Sequence, residues 1–315
     1  VSPGTPGTPS TAAADAPDER GCSVLHVAVD DLAVAVRLLR HPELTGLPVV
    51  VAGGRGVVLS ASPRAREAGA HPGAPLGRAR RLCPGLTVLA RDPGAEQRAW
   101  AGVLGLLRSL TPAVEELRPG AACLEVSGAA RRLGGPGRIA RLVRDAVADE
   151  QGLACSVGAG PTRLVAALAA GAAAARPGGG VLLVPRARAL GFLHAAPAAA
   201  LPGVGRRTAE LLEQLGLRTA GDVAHTPAAT LRRALGGRAG DRLHALAWGR
   251  EEGPPPAAAP PPASLGAGSA FARDVDDPRA VHRELLRLAV RTAGRARAAV
   301  LAGRTVVLRV RFADG

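Results

Sequence analysis

Residues 201–222 read LPGVGRRTAELLEQLGLRTAGD. Gly203 and Gly205 bracket Val204 in a tight turn, and their missing side chains let backbone N–H groups approach a phosphate at the start of the next helix. Arg206 and Arg207 add charge at that mouth. Leu211, Leu212 and Leu215 fall on one face of the predicted helix, Gly216 supplies its stop, and a second short element begins at Thr219. This is a helix-hairpin-helix pattern, which positions a nucleic-acid duplex without reading its sequence. An ordinary helical hairpin whose glycines serve only the turn is the alternative reading. The doubled arginine and the order Pro-Gly-Val-Gly favour phosphate.

Composition points the same way. The chain of 315 residues is long enough for two or three domains, and 47% hydrophobic content excludes global disorder. With only 2% aromatic residues the cores are expected to be aliphatic, with little platform for base stacking. A net charge of +14 implies a polyanionic partner. All 40 basic residues are Arg, but Lys, Met, Tyr and Asn are all absent, as in a GC-rich genome, so the charge says more than the choice of Arg. Cys22, Cys83, Cys123 and Cys155 form no C-x-x-C pair and imply neither a zinc site nor a disulfide framework. No apolar run reaches membrane-spanning length and residues 1–20 lack a signal-peptide layout, so a cytoplasmic protein without membrane partners is expected.

Along the chain, residues 1–20 are rich in Pro, Thr, Gly and Ala and are predicted to be a disordered leader. SVLHVAVDDL predicts a strand that passes into a helix ending near Pro42. The runs at 47–54 and 56–62, joined by a glycine turn, predict a hairpin or adjacent strands, and helical signals resume through ARRLCPGL. A helix over 94–111 follows, then two strand-like segments of VEELRPGAACLEVSG on either side of Pro119 and Gly120. A helix from about 137 to 150, the strand LACSVGAG and an alanine-rich helix from about 162 to 175 complete an α+β layer with an antiparallel or mixed sheet. Residues 251–263, EEGPPPAAAPPPA, predict an extended linker. Beyond it come SAFARDVDD, a helix from about 278 to 299 and the strand GRTVVLRVRF.

Six stretches in order resemble the Y-family translesion DNA polymerases, most closely the DNA polymerase IV (DinB-like) branch. LHVAVDD resembles the first catalytic strand, HPELTGLPVVVAGG the loop and strand after it, and SASPRAREAGAHPGAPLGRARRLCPGL the fingers. VEELRPGAACLEVSG stands at the second catalytic strand, SVGAGPTRLVAALAA at the helix that reaches the triphosphate, and LPGVGRRTAELLEQLGLRTAGDV at the thumb hairpin. The resemblance implies an α+β right-hand polymerase: palm and small fingers over 21–187, a helical helix-hairpin-helix thumb over 188–250, the linker, and an α/β little finger over 264–315 that is expected to be incomplete. It also implies primer–template DNA as partner, with a sliding clamp and a separate DNA polymerase as further candidates.

Polymerases of this family use two metal ions about 3.5–4 Å apart, held by carboxylates. The family's V-D-x-D reads Val27, Ala28, Val29, Asp30 here, so its first metal-binding Asp is Ala28. The adjacent acidic pair of the second strand is Gly120 and Ala121, and Arg118 puts a positive charge beside it. All three expected ligands lack side-chain donors, so no cofactor is expected, and a loss of several kcal/mol of metal stabilisation costs roughly a thousandfold or more in rate. Asp30, Asp31 and Glu125 are the alternative metal ligands, which would need Mg2+; Glu125 lies four residues past Ala121, a shift of roughly 13 Å along a strand. The resemblance places Arg66 and Arg163 on the nucleotide's phosphates, Pro63 at an aromatic position, and Ala33 where a bulky residue excludes ribonucleotides. Gly203, Val204, Gly205, Arg206 and Arg207 are the expected DNA contacts.

The substitutions are similar to those of the inactive, ImuB-like members of bacterial mutagenesis cassettes. The leading expectation is a non-catalytic, DNA-binding adaptor in translesion synthesis and DNA repair. The alternatives are an active error-prone DNA polymerase with a rewired metal site, and a product with no DNA role.

Overall fold

The computed structural model describes residues 19–54, 56–175, 180–250, 264–271 and 273–311, so the expected leader, apart from its last two residues, and the whole linker lie outside the described residues. The chain divides into two compact units, Val1–Ala259 and Pro260–Gly315.

In the first unit, β1 (Val24–Ala28) runs through the middle of a sheet because VLHVA is β-prone and, apart from His26, apolar. Asp31 turns the chain into α1 (Leu32–Arg40), which ends before Pro42. β2 (Val49–Ala52) and β3 (Val58–Ala61) form the expected antiparallel hairpin. The Ser62 hydroxyl accepts the Ala65 N–H at 3.3 Å and starts α2 (Pro63–Glu67). After α3 (Leu76–Leu82), β4 (Thr87–Ala90) pairs parallel with β2 and completes a sheet in the order β3-β2-β4.

Asp92, which accepts the Ala95 N–H at 2.9 Å, and Pro93 at the first helical position begin α4 (Pro93–Leu110). β5 (Val114–Arg118) and β6 (Ala121–Glu125) make a hairpin, followed by α5 (Ala130–Leu133) and α6 (Pro136–Gln151). β7 (Ser156–Gly160), α7 (Arg163–Ala174) and β8 (Val181–Leu183) finish the layer. The second sheet has the order β5-β6-β1-β7-β8, antiparallel throughout except for the parallel β7–β8 pair, which is the mixed sheet the sequence implied. One face buries Leu25, Val27 and Leu124 against Val103 and Leu107 of α4 and Ile139 and Val143 of α6. α7 covers the other face so closely that a Cβ at Gly158 would meet the Ala166 carbonyl oxygen at 2.1 Å.

Five helices follow: α8 (Arg186–Ala195), α9 (Arg206–Gln214), α10 (Ala220–His225), α11 (Ala228–Leu235) and α12 (Gly237–Ala247). They enclose a core of Leu193, Leu201, Leu212, Val223, Leu231 and Leu243, to which Leu164 of α7 also contributes. Thr219 and Asp222 form a reciprocal capping box at the start of α10, which fixes the exit from the hairpin.

In the second unit, Asp277 accepts the N–H groups of Arg279 and Ala280 and starts α13 (Pro278–Ala298). Over the described part of GRTVVLRVRF the expected strand is not formed: residues 305–311 have no regular structure, and Val306, Val307, Leu308 and Val310 are exposed. Apolar alternation makes a strand only where a neighbour accepts and donates the ladder bonds, and no described strand pairs with this segment.

Candidate active site and nucleic-acid interface

The sheet register places the three expected metal-ligand positions together. Ala28 pairs with Ala121 on one side and Ser156 on the other, and the Val29 N–H donates to the Gly120 carbonyl at 2.8 Å. Pro119 and Gly120 are the two residues of the β5–β6 turn, closed by Arg118 opposite Ala121. Gly120 has φ +87°, and a Cβ there would sit 3.0 Å from the Val29 carbonyl oxygen. The position has therefore become part of a glycine turn, which opposes any side chain there.

The carboxylates nearby point elsewhere. Asp31 precedes α1 in a left-handed conformation, φ 53° and ψ 40°, and makes no cap to its own helix. Its Oδ1 accepts the Ala61 N–H at 3.0 Å and the Ser60 hydroxyl at 3.1 Å, while Oδ2 faces Arg66 Nη1 at 2.9 Å. Asp30 is exposed at its edge, yet enough protein surrounds its carboxyl that desolvation, then the Asp31 charge, raise its pKa against the opposing pull of Arg66 and Arg118. Glu125 stands at the far end of β6, opposite Val24, where its Oε1 accepts the backbone N–H and hydroxyl of Ser127. The alternative ligand set Asp30, Asp31 and Glu125 is thus not brought together. Among the described residues no group of three or more His, Cys, Asp or Glu is placed to hold a metal ion. The donor set at this end of the sheet does not fit the pair of divalent ions that the resemblance implies.

The two arginines expected on the nucleotide are both paired. Arg66 meets Asp31, and Arg163, the first residue of α7, meets Glu115 Oε2 of β5 at 2.9 Å. Arg118 is exposed, and its Nη1 donates to the Pro119 carbonyl at 3.4 Å. Burial, then the Arg118 charge, lower the pKa of His26 from 6.5 to about 4, so its ring is neutral at physiological pH. Ala33 is half-buried against Val34, Val49 and Val51.

In the thumb region the hairpin is as read. Gly203 has φ +89°, nothing lies within 4 Å of a Cβ at Gly203 or Gly205, and no side chain caps the first N–H groups of α9. Arg206 pairs with Glu210 at 2.8 Å but keeps 92% of its side chain exposed, and Arg207 is exposed. Gly216, at φ +77°, stops α9 as expected. Leu215 differs from expectation, being 44% exposed, because only Leu212 of that face reaches the core.

Sequence reasoning missed three contributors: Ser60, Arg238 and Arg242. A hollow of about 430 Å3 beside the hairpin has Val204, Leu235 and Leu243 in its wall and Arg238 and Arg242 among its lining residues. The available signal was Leu235-Gly236-Gly237-Arg238, a second glycine turn leading into an arginine-bearing helix. Among the described residues no helix is long and apolar enough to cross a membrane.

Comparisons with known proteins bear on both regions. Residues 27–171 match the model of the impB/mucB/samB family, residues 199–250 that of the DNA polymerase-iota thumb domain, and residues 262–315 that of the impB/mucB/samB family C-terminal domain. The chain is 38% identical over 297 residues to DNA polymerase IV 2 of Mesorhizobium japonicum, covering 94% of this chain and 70% of the relative. It is 35% identical over 294 residues to DNA polymerase IV of Alkalilimnicola ehrlichii, covering 92% and 81%. Among solved structures, a chimeric Y-family DNA polymerase built on Dbh superposes with a TM-score of 0.75 at 20% identity, over 86% of this chain and 79% of that one. A ternary complex of Dbh gives 0.68 at 19% identity, over 86% and 80%, and DinB from Sulfolobus solfataricus gives 0.67 at 21%, over 74% and 68%.

Proposed function

The chain belongs to the Y family of DNA polymerases, in its DNA polymerase IV-like branch, and from that premise we propose that it grips primer–template DNA without transferring nucleotides itself. The fold is the α+β right hand of that family, with a helix-hairpin-helix thumb. On our reading palm and fingers occupy 21–187, the thumb 188–250, the linker 251–263 and the little finger 264–315. Its role is that of an adaptor in DNA repair by translesion synthesis, occupying primer termini, with a sliding clamp and a catalytic polymerase as the partners that such a role requires.

The observation that carries this reading is the pairing of Ala28 with Ala121 beside Gly120. Metal-assisted phosphoryl transfer needs anionic oxygens that hold the ions and so stabilise the attacking and leaving oxygens. Three neighbouring positions without a side-chain donor remove that charge, and Arg118 adds a cation beside Gly120. A polymerase rewired on Asp30, Asp31 and Glu125 gains no support, because Asp31 is spent on Arg66 and Ser60 and Glu125 lies at the other end of its strand.

DNA contact does not depend on those oxygens. Uncapped N–H groups at the start of α9, the open turn at Gly203–Gly205, and Arg206 and Arg207 support phosphate contacts in the thumb. Purified protein is expected to bind duplex DNA with an affinity that falls steeply with salt, and to extend no primer in magnesium or manganese. Salt-insensitive binding, or no binding, would remove the adaptor reading.

A further inference from the structure

We propose that Asp31 is a built-in counter-ion that fills the anion seat of Arg66, pins the β3–α2 segment to the start of α1 and keeps a nucleotide's phosphates off that guanidinium. The proposal rests on the reading of Arg66 as a phosphate-facing residue.

Three observations carry it. An Asp just before a helix ordinarily accepts an N–H of that helix's first turn, and Asp31 does not. The service is exchanged across the junction. Ser60 of β3 accepts the N–H of Val34, the third residue of α1, at 3.1 Å, while Asp31 accepts the N–H of Ala61 at 3.0 Å. Each segment therefore caps the other.

Second, the exchange requires a backbone that most residues avoid. Asp31 and Val300 are the two non-glycine residues with positive φ among the described residues, and Asp is one of the few types that tolerate it through local hydrogen bonds. Third, the charges are arranged as ligand and receptor. Arg66 Nη1 lies 2.9 Å from Asp31 Oδ2, and the Asp31 side chain is 12% exposed and that of Arg66 40% exposed. Arg66 forms its ion pair with Asp31; Asp30 and Arg118 are the other charged groups at this junction. A phosphate approaching Arg66 meets a fixed negative charge already in place and is repelled by it.

The chemistry singles out one substitution. Asp31→Asn keeps the shape, tolerates the left-handed conformation and retains an oxygen for Ala61 and Ser60, while removing the charge that satisfies Arg66. The full chain would be titrated with a fluorescent deoxynucleoside triphosphate in EDTA, with thermal melting to verify folding. Wild type is expected to show no saturable binding, Asp31→Asn to gain at least tenfold in affinity, and Asp31→Asn/Arg66→Gln to lose that gain. Unchanged binding in Asp31→Asn, or a gain that survives loss of Arg66, overturns the proposal.

Labelling with phenylglyoxal, read by peptide mass spectrometry, reports the latch without any nucleotide. Arg66 is expected to react severalfold faster in Asp31→Asn than in wild type, and equal rates overturn the latch. Faster labelling without any gain in nucleotide binding likewise overturns the proposal and leaves only the Asp31–Arg66 ion pair itself. Metal-dependent primer extension by wild type is the separate result that overturns the non-catalytic reading.

Discussion

At the tip of the sheet, Ala28 and Ala121 face each other in an intact antiparallel register and offer no side-chain oxygen to a cation. In the thumb, Gly203 and Gly205 expose backbone N–H groups beside Arg206 and Arg207. On the proposed reading both regions keep the backbone path that the family resemblance implies, and only the thumb keeps the chemistry. The difference lies in where each function is stored. A metal site is a set of side-chain atoms, so one substitution per ligand empties it while the ladder of β1, β6 and β7 stays whole. A hairpin that meets phosphate with main-chain N–H groups keeps its donors as long as its turn and helix form, and surrounding arginines only modulate it.

The contrast can be broken most forcefully at the thumb. Arg206→Ala/Arg207→Ala is expected to weaken duplex binding by roughly tenfold or more at moderate salt and to flatten the log–log salt slope by about 2, whereas Ala28→Asp leaves both unchanged. Fluorescence anisotropy over a salt series measures this. An effect of Ala28→Asp as large as that of the arginine pair would show that the two regions are not independent.

Acid stability separates them next. His26 holds its imidazole at about 4 against 6.5 when unfolded, so its contribution is complete above pH 6.5 and is lost as pH falls toward 4. The loss is on the order of 3 kcal/mol at most. Urea unfolding of His26→Gln across that window should show a flatter pH dependence than wild type, and identical slopes would mean that the ring is not held neutral.

The turn at the sheet tip gives a smaller effect. Gly120→Ala forces a Cβ into a left-handed position 3.0 Å from the Val29 carbonyl oxygen and is expected to cost about 1–3 kcal/mol. No loss in urea unfolding would mean that the turn readily accepts a side chain and that a carboxylate could be restored there. Smallest is Asp30→Asn. Its raised pKa means that the ionised carboxylate is disfavoured in the fold, so removing the charge should stabilise slightly at neutral pH. The gain should vanish below the unfolded carboxylate pKa of about 3.9. A destabilised Asp30→Asn at neutral pH would point to a favourable role for the charge, as a ligand requires.

How much of this was legible depended on whether the signal was local. The Pro119-Gly120 turn, the strand into α1 and the PGVG hairpin each carry their own punctuation, and all formed where read. β4 and β8, four and three residues long, were invisible because their parallel partners lie far away in sequence and so short a run carries no period. The reverse error occurred over residues 305–311, where clear alternation has no neighbouring strand to pair with. The juxtaposition of Ala28, Gly120 and Ala121 followed from the motifs the resemblance picked out, but the pairing of Asp31 with Arg66 was not readable. It depends on a left-handed backbone at one residue and on Ser60 arriving from another strand.

The central claim is tested most directly by primer extension with the purified chain, magnesium or manganese and all four deoxynucleoside triphosphates. The account predicts product indistinguishable from the protein-free control while the same protein retains the primer–template in a binding assay. Metal-dependent extension that disappears in Asp30→Ala would contradict it.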